Sequence, residues 1–484
     1  MAAPEKQSND SLTHSLSGDP DLVNFDGLGD PAKAIHWPLR RKWSIMLMLS
    51  IMSFIMPLAS SMLAPAVPEC LADFRSTSSI LGSLVVSIYL LGGAAGPLVI
   101  APLSEIYGRS IIYHVTNALY IVFSIACALS TNLNMLIGFR FLAGVASAAV
   151  MTVGGGTVAD LFIQEERGRA LAIWTLGALL GPVLGPVIGS FLSAAKGWRW
   201  VFWFLAIVSG GMSGVFFIFL RETSSVIILR RKAARLRKET GKSALRSHLD
   251  VGTSPGAALK AAVIRPLKLV LFSPIVAAMA TVTAIIYGYL YILFTTFTMV
   301  YKDIYGFSSD TVGLIYLGLG VGMFLGLFAF GALSDFVIKR EAARHDGEMK
   351  PEYRLPPMIL GGICLPVGLF VYGWTAKSHV FWFIPILGTA IFGFGFIVFF
   401  MPTQAYLVDA FAHNAASALA AGAVLRSLGG ALLPLAGVPM YDKLGLGWGN
   451  TLLGLIAIAT IPLPFFLLRY GERIRTSPRF QVRL

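Results

Sequence analysis

The sequence predicts an all-α membrane protein whose twelve transmembrane helices form two six-helix halves related by pseudosymmetry. Hydrophobic residues make up 56% of the 484 residues and charged residues 13%, about half the charged fraction of a soluble domain. Twelve apolar runs have the length of about 20 residues that a bilayer core requires. A short motif recurs at an offset of 230 residues, which indicates an internal repeat.

The chain begins with a polar segment. Residues 1–34 are rich in Ser, Asp and Pro, a composition typical of disorder. We therefore predict a disordered cytosolic tail over residues 1–43 that ends at the first membrane surface. Twelve predicted spans follow. Several of the turns between them are very short, so eleven or thirteen spans are also compatible with the sequence. The predicted spans are 44–66, 80–101, 111–130, 133–155, 170–193, 200–220, 271–299, 311–333, 357–375, 380–402, 415–438 and 449–468.

A polar linker divides the spans six and six. The predicted halves are residues 44–220 and 271–469, with a basic cytosolic linker at 221–270 and a cytosolic tail at 470–484. The linker contains a dense basic run at 230–238, for which contact with anionic lipid is favoured over a specific partner site.

The distribution of positive charge predicts the orientation. With a cytosolic N-terminus, most of the 38 lysines and arginines lie in cytosolic segments, as the positive-inside rule requires. Both termini are then cytosolic, and we expect the plasma membrane as the location. The net charge of +13 follows from orientation and lipid contact, so no nucleic-acid partner is expected. The three cysteines are too widely spaced for a metal site.

The repeated motif is Leu-Ser-acid-x-x-x-base. It occurs between spans two and three, where it contains Glu105 and Arg109, and between spans eight and nine, where it contains Asp335 and Lys339. Residues four apart on a helix can pair with each other or reach neighbouring helices. We interpret the motif as a gating latch, the alternative being an ordinary surface salt bridge. Equivalent loops in two halves also predict a substrate site between the halves near the bilayer midplane.

Span five has a glycine at every fourth position, and prolines follow two of these glycines. On a helix the glycines share one face, which lets a neighbouring helix approach closely in lipid. Prolines are tolerated there if neighbours satisfy the freed backbone groups. We predict a face that seals and hinges against the other half; the alternative is a generic packing face. The residues are Gly177, Gly181, Pro182, Gly185, Pro186 and Gly189.

Two arginines lie inside predicted spans. Arg140 in span four and Arg426 in span eleven are costly in a bilayer unless they face a cavity and have a partner, yet no acid lies in the apolar part of a neighbouring span. Asp160, Asp409 and His114 are the candidates for a proton-carrying group, with a structural role as the alternative for each. Two arginines without partners could instead attract an anionic substrate.

These features resemble the major facilitator superfamily and, within it, the fungal branch of twelve-helix drug:proton antiporters. The resemblance covers nearly the whole chain. It implies alternation of the two halves between inward-open and outward-open states, a role of Arg140 in proton coupling, and export associated with the span-five stretch. It is carried by Pro-Leu-Ser-Glu-Ile-Tyr-Gly-Arg at 102–109, Arg-Phe-Leu-Ala-Gly at 140–144, the glycines and prolines of span five, Tyr-Leu-Val-Asp-Ala at 406–410 and Ala-Ser-Ala-Leu at 416–419.

The resemblance also implies that spans one, four, seven and ten line a central cavity. Aromatic residues recur at helical spacing on spans seven and ten, and a flexible aromatic wall suits varied apolar compounds. The alternative is that one or both stripes face lipid or a packed helix. The residues are Tyr287, Tyr291 and Phe294 on span seven, and Phe392, Phe396 and Phe400 on span ten.

The function expected from these observations is proton-coupled export of small amphipathic compounds by a monomer that uses the proton gradient and no cofactor. One alternative is uptake of an organic anion or other polar nutrient. A membrane sensor or enzyme is a further alternative. The enzyme is disfavoured because no loop has a catalytic or phosphate-binding pattern.

Overall fold

The computed structural model is a bundle of long helices. Among the residues that it describes, eleven helical segments are long and apolar enough to cross a membrane. The last of these has 62 residues, about twice the length that one crossing needs, and Gly445 breaks it with a φ of 72°. Twelve crossings are therefore confirmed. The described residues are 21–26, 30–249, 255–344, 350–411 and 415–477.

The first six spans form the N half. A 3-10 turn at Ala64–Ala66 separates the first span from a short helix that continues it. The helices are α1 (Leu39–Ser61), α2 (Val67–Asp73), α3 (Ser79–Tyr107), α4 (Arg109–Ala128), α5 (Leu133–Leu161), α6 (Gln164–Lys196) and α7 (Arg199–Phe219). Two linker helices follow, α8 (Ser225–Thr240) and α9 (Pro255–Phe272).

The C half contains the remaining six spans. Its eleventh span consists of α14 and the first part of α15, and its twelfth of the rest of α15 with α16, because the break lies at Gly445. The helices are α10 (Pro274–Tyr305), α11 (Tyr316–Arg344), α12 (Pro356–Lys377), α13 (Phe383–Ala410), α14 (Ala415–Leu432), α15 (Gly437–Thr460) and α16 (Pro462–Thr476).

The two halves use the same pairing of spans. In the N half α1 packs on α6, α3 on α5 and α4 on α7, and in the C half α10 packs on α14, α11 on α13 and α12 on α15. In both halves, therefore, the first span meets the fifth, the second the fourth and the third the sixth. This equivalence supports the internal repeat that the motif predicts.

The halves meet along two helix pairs, α3 with α14 and α6 with α11. Leu90 and Val183 are the buried N-half residues that join the hydrophobic core of the C half. Val183 packs against Gly320 of α11, and Ser190 packs against Gly313 just before α11. Small residues on α11 thus allow α6 to approach closely.

The glycine face of α6 has a different partner from the one predicted. It packs against α1 of the same half, so the prediction that this face seals against the other half is wrong about the neighbour. A Cβ added at Gly181 would lie 2.7 Å from the carbonyl oxygen of Phe54, and one at Gly185 would lie 2.7 Å from that of Leu58. Gly177 and Gly189 meet the α1 backbone at Ser50 and Met62 in the same way.

The prolines of α6 explain part of this contact. Pro186 has no N–H group, so the carbonyl of Pro182 loses its helical donor. Ser61 of α1 donates its hydroxyl to that carbonyl at 2.7 Å. A neighbouring helix therefore satisfies the freed backbone group, as a proline inside a bilayer requires.

One end of the bundle, which we call the linker face, carries α8, α9, the α3–α4 turn and the end of α16. Residues 21–26 and 30–37 lie here and differ from the disordered segment that their composition predicts. Leu22–Val23 pairs with Arg246–Ser247 as two short parallel strands, β1 and β2, and Asp26 forms an ion pair with Lys232 of α8 at 2.6 Å. The pairing with β2 and the contacts of Lys232 thus hold this part of the tail in place.

We expect Gly181→Ala to destabilise the protein, because its methyl group would press on the α1 backbone. Overpacking of this kind costs about 1–3 kcal/mol, and the melting temperature of the purified protein should fall by several degrees. Gly214→Ala is the matched control, since a Cβ at that α7 position meets nothing within 4 Å. Equal melting temperatures for the two variants would contradict the packing assigned to α6.

Candidate functional site

Arg140 lies buried inside the N half. Its side chain is 1% exposed, and its guanidinium lies 5.4 Å from the ring centroid of Tyr89. Its Nη2 donates to three backbone carbonyls, those of Ala59 at 3.4 Å and of Ser60 and Val86 at 3.3 Å. Backbone oxygens therefore take the place of the acidic partner that sequence reasoning sought.

The carbonyls that Arg140 binds on α1 are available for a structural reason. Ala59 and Ser60 lie in the last turn of α1, where carbonyl groups run out of N–H partners. The C-terminus of a helix also carries a partial negative charge. Arg140 thus caps the end of α1 inside the protein, and its charge is balanced by this helix end rather than by a carboxylate.

Ser60 connects this cap to the C half. Its hydroxyl lies 2.6 Å from the carbonyl oxygen of Pro57 and 2.8 Å from the hydroxyl of Tyr291 on α10. A carbonyl only accepts hydrogen bonds, so the single proton of Ser60 goes to Pro57 and Tyr291 donates to Ser60. Arg140 and Tyr291 therefore hold the same residue, one through its carbonyl and the other through its hydroxyl.

The predicted aromatic wall is only partly open. Tyr287 and Phe400 are partly exposed, whereas the other four rings are 0–3% exposed. Phe294 stacks on Tyr316 at the start of α11, and Phe392 lies where α13 packs against Gly368 of α12. Lining of a cavity stays a prediction for Tyr287, Phe396 and Phe400, which form one cluster with ring centroids 5.7–6.1 Å apart.

Arg426 of α14 lies against this aromatic cluster. Its guanidinium carbon is 5.2 Å from the ring centroid of Tyr287 and 5.3 Å from that of Phe400. The side chain is partly exposed, and its buried Nε has no hydrogen-bond partner. The Nε of Arg140 also lacks a partner and its guanidinium also lies near aromatic rings, so the two arginines differ in that three backbone carbonyls accept from the Nη2 of Arg140.

In the N half the motif base Arg109 contacts Ser104 and Asp160 rather than Glu105. Its Nη1 donates to Ser104 Oγ at 2.6 Å, and its Nε lies 3.6 Å from the carboxylate of Asp160 at the end of α5. Glu105 is exposed. Of the two arrangements that the motif allows, Arg109 adopts the reach to a neighbouring helix rather than the pairing with Glu105, because Gly108 ends α3 between the two residues and the end of α5 brings Asp160 within reach.

The C half has an equivalent arrangement with a different base. Arg354, which precedes α12, pairs with Asp409 at 2.8 Å and donates to Ser334 Oγ at 3.4 Å. Ser334 and Ser104 occupy the same place in the two copies of the motif, and Asp409 and Asp160 are each the penultimate residue of their helix. Asp335 and Lys339 lie on α11, but their side chains fall outside the described residues.

Glu222 is a functional candidate that sequence reasoning missed. Its carboxylate accepts hydrogen bonds from the backbone N–H groups of Arg109 at 3.0 Å and Ser110 at 3.3 Å. These groups form the N-terminus of α4, which begins directly after Gly108 with a φ of 104°. The sequence does contain a sign of this cap, because Gly108 lies between two predicted spans and Glu222 lies at the end of span six. Glu222 fixes α7 to the latch by capping α4.

His114 lies away from these groups. Its ring is 6.1 Å from the ring of Phe217 on α7, and Phe217 is 82% exposed. The structure therefore brings Arg140, Ser60 and Tyr291 together at the centre and Asp160 and Asp409 at the linker face, but it places His114 near the lipid-facing surface.

Comparison with known proteins gives a consistent result. The family profile described as Major Facilitator Superfamily matches residues 49–434. The chain is 50% identical to the efflux pump radE of Floropilus chiversii, over 96% of this chain and 87% of that protein. It is 51% identical to the MFS-type transporter penM of Penicillium rubens, over 96% of this chain and 91% of that protein.

The fold also resembles solved structures. A crystal structure of a D-xylose-proton symporter aligns with a TM-score of 0.69 and 14% identity, over 87% of this chain and 97% of that one. A bacterial homologue of the human lysosomal transporter Spinster, in an inward-facing and unoccupied conformation, aligns with a TM-score of 0.65 over 91% of this chain. At these identities the likeness establishes the fold.

We expect Arg140→Met to lower the melting temperature of the purified protein as well as its activity. The substitution leaves backbone carbonyls without their donor in a buried site, at a cost of about 1–3 kcal/mol. Arg426→Met is the matched control and should have a smaller effect, because Arg426 donates no hydrogen bond to a described residue. If Arg140→Met melted like the wild type, Arg140 would not be a structural cap.

Proposed function

Because this chain belongs to the major facilitator superfamily, we propose that it is a secondary active transporter that exports small amphipathic compounds by proton antiport. The names of relatives such as the efflux pump radE support the direction of transport. The observation that carries the mechanism is the link from Arg140 through Ser60 to Tyr291. It joins a buried cation of one half to a ring of the other half that lies against the aromatic cluster.

In this proposal the two halves rock about the contacts between α6 and α11. The Ser60–Tyr291 hydrogen bond is made in the state described here and has to break when the halves separate at this level. Substrate bound beside Tyr287 changes the surroundings of Tyr291, whose ring centroid is 5.3 Å away. Substrate binding in the C half thereby alters the Ser60–Tyr291 hydrogen bond at the end of α1, where Arg140 also binds.

The linker-face latches supply the proposed connection to protons. Protonation of Asp160 removes the charge that attracts Arg109, and protonation of Asp409 does the same for Arg354. Proton occupancy and closure of this face then depend on each other. We assign gating to these carboxylates, and the proton gradient is the proposed energy source in place of a cofactor.

The proposal places the linker face in the cytosol, as expected for an exporter in the plasma membrane that acts as a monomer. Anionic lipid is the proposed neighbour of the linker helices. On α8, Arg231 and Lys238 are exposed. On α9 an apolar stripe is exposed at every fourth position, which suits a helix lying in the membrane interface. The stripe is Leu259, Val263, Leu267 and Leu271.

The direction of transport can be tested in yeast cells that lack their own efflux pumps. We expect cells that express the protein to retain less of a fluorescent amphipathic compound from a panel that includes cationic, neutral and anionic dyes. A protonophore should abolish the difference from cells with an empty vector. Higher retention would support the uptake alternative, and an unchanged level for the whole panel, with the protein present at the membrane, would contradict transport of this compound class.

The Ser60–Tyr291 link can be tested separately with Tyr291→Phe. One hydrogen bond of about 0.5–1.5 kcal/mol is lost, so we expect the export rate to change by about 2-fold to 10-fold at a wild-type protein level. Tyr289→Phe is the matched control, because Tyr289 lies on the same helix and its buried hydroxyl has no hydrogen-bond partner. Equal export rates for the two variants would remove Ser60 and Tyr291 from the mechanism.

A further inference from the structure

Arg426 stands out because its positive charge has no counterpart among the described residues. The C-half acids Asp409, Glu352 and Glu472 each pair with another base at the linker face. No ion pair between residues of the described ranges includes Arg426. A cation at this depth in a bilayer is costly unless something balances it.

The position of Arg426 follows from close packing of α14 on α10. A Cβ at Gly430 would lie 2.9 Å from the ring of Tyr287, and Gly429 meets the backbone of Ala284. Residue 426 shares a helix face with both glycines, since it lies three and four positions before them. The glycines therefore bring the guanidinium onto the Tyr287 ring.

The aromatic rings hold the guanidinium but leave its donors free. A cation beside an aromatic ring gains about 0.5–2 kcal/mol, yet a ring offers no oxygen to the N–H groups. Guanidinium presents five N–H donors in a planar fork that matches a carboxylate. Arg426 is also partly exposed, as are Tyr287 and Phe400.

Arg140 provides the contrast that singles out Arg426. Its Nη2 is occupied by three backbone carbonyls and its side chain is 1% exposed. It therefore has neither free donors on that nitrogen nor access to solvent. Of the two arginines that the sequence places inside spans, only Arg426 is arranged to meet a molecule that enters from outside.

We propose that Arg426 binds the acidic group of the substrate, and that the substrates are amphipathic organic acids in which a carboxylate, enolate or phenolate is attached to a flat apolar body. The acidic oxygen meets the guanidinium, and the apolar body lies on the rings of Tyr287, Phe396 and Phe400. This inference rests on the proposed export function and adds the charge of the exported compound.

The test compares 9-anthracenecarboxylate with its methyl ester, which has the same flat body and no charge. Binding to the purified full-length protein is followed by quenching of tryptophan fluorescence. We expect the wild type to bind the acid more tightly than the ester. Arg426→Gln should weaken binding of the acid by about 10-fold or more, as loss of a hydrogen bond between charged groups does, and leave the ester unchanged. Arg426→Lys should retain part of the preference for the acid.

Ester binding reports whether each variant is folded, so a folding defect is recognised directly. Equal affinity of the wild type for acid and ester, or an equal loss of both in Arg426→Gln, would overturn the inference. Export of the two compounds from yeast distinguishes the two proposals. If only the ester is exported, the anion site fails and export stands; if the acid binds through Arg426 and neither compound is exported, export fails and the anion site stands.

Discussion

The structure depends on one constraint, which is that a backbone carbonyl inside a bilayer has no water to bind. Helical hydrogen bonds are missing at two neighbouring places, at the end of α1 and at Pro186 within the continuous helix α6. The carbonyls at both places are satisfied within the N half, because Arg140 caps α1 and Ser61 donates to the carbonyl of Pro182. The glycine face of α6 brings its backbone close enough to α1 for the second of these bonds.

This constraint also explains why coupling can pass through a helix end. A carbonyl inside a regular helix, such as that of Val86 in α3, already serves the helix, whereas the carbonyls of Ala59 and Ser60 lie where α1 stops and helical donors run out. Ser60 lies at such a point and adds a hydroxyl that reaches Tyr291 of the other half. The same local break therefore provides the counter-charge for Arg140 and a contact between the halves.

Much of the fold could be predicted from the sequence, since span length and a repeated loop depend on local composition. The site was less predictable for physical reasons. A glycine at every fourth position defines a face of α6 but not the helix that meets it, and that helix is α1. A search for the partner of Arg140 among side chains overlooks carbonyls, which every residue has. The base that pairs with Asp409 is Arg354 rather than the motif lysine, because the approach of the α11–α12 connection to α13 is a tertiary feature.

The two arginines show how the same residue type serves different purposes. A cation that is permanently balanced, as Arg140 is by the end of α1, can organise a protein but has little left with which to attract a ligand. A cation held only by aromatic rings keeps its hydrogen-bond donors, and the cost of leaving it without a counter-charge is recovered whenever an anion binds. An acidic side chain beside Arg426 would neutralise its guanidinium and stabilise the empty site. Because no acidic side chain is described beside Arg426, an anion keeps the full interaction with the guanidinium, and binding shifts the balance between states by as much as this site is better formed in one state than in the other.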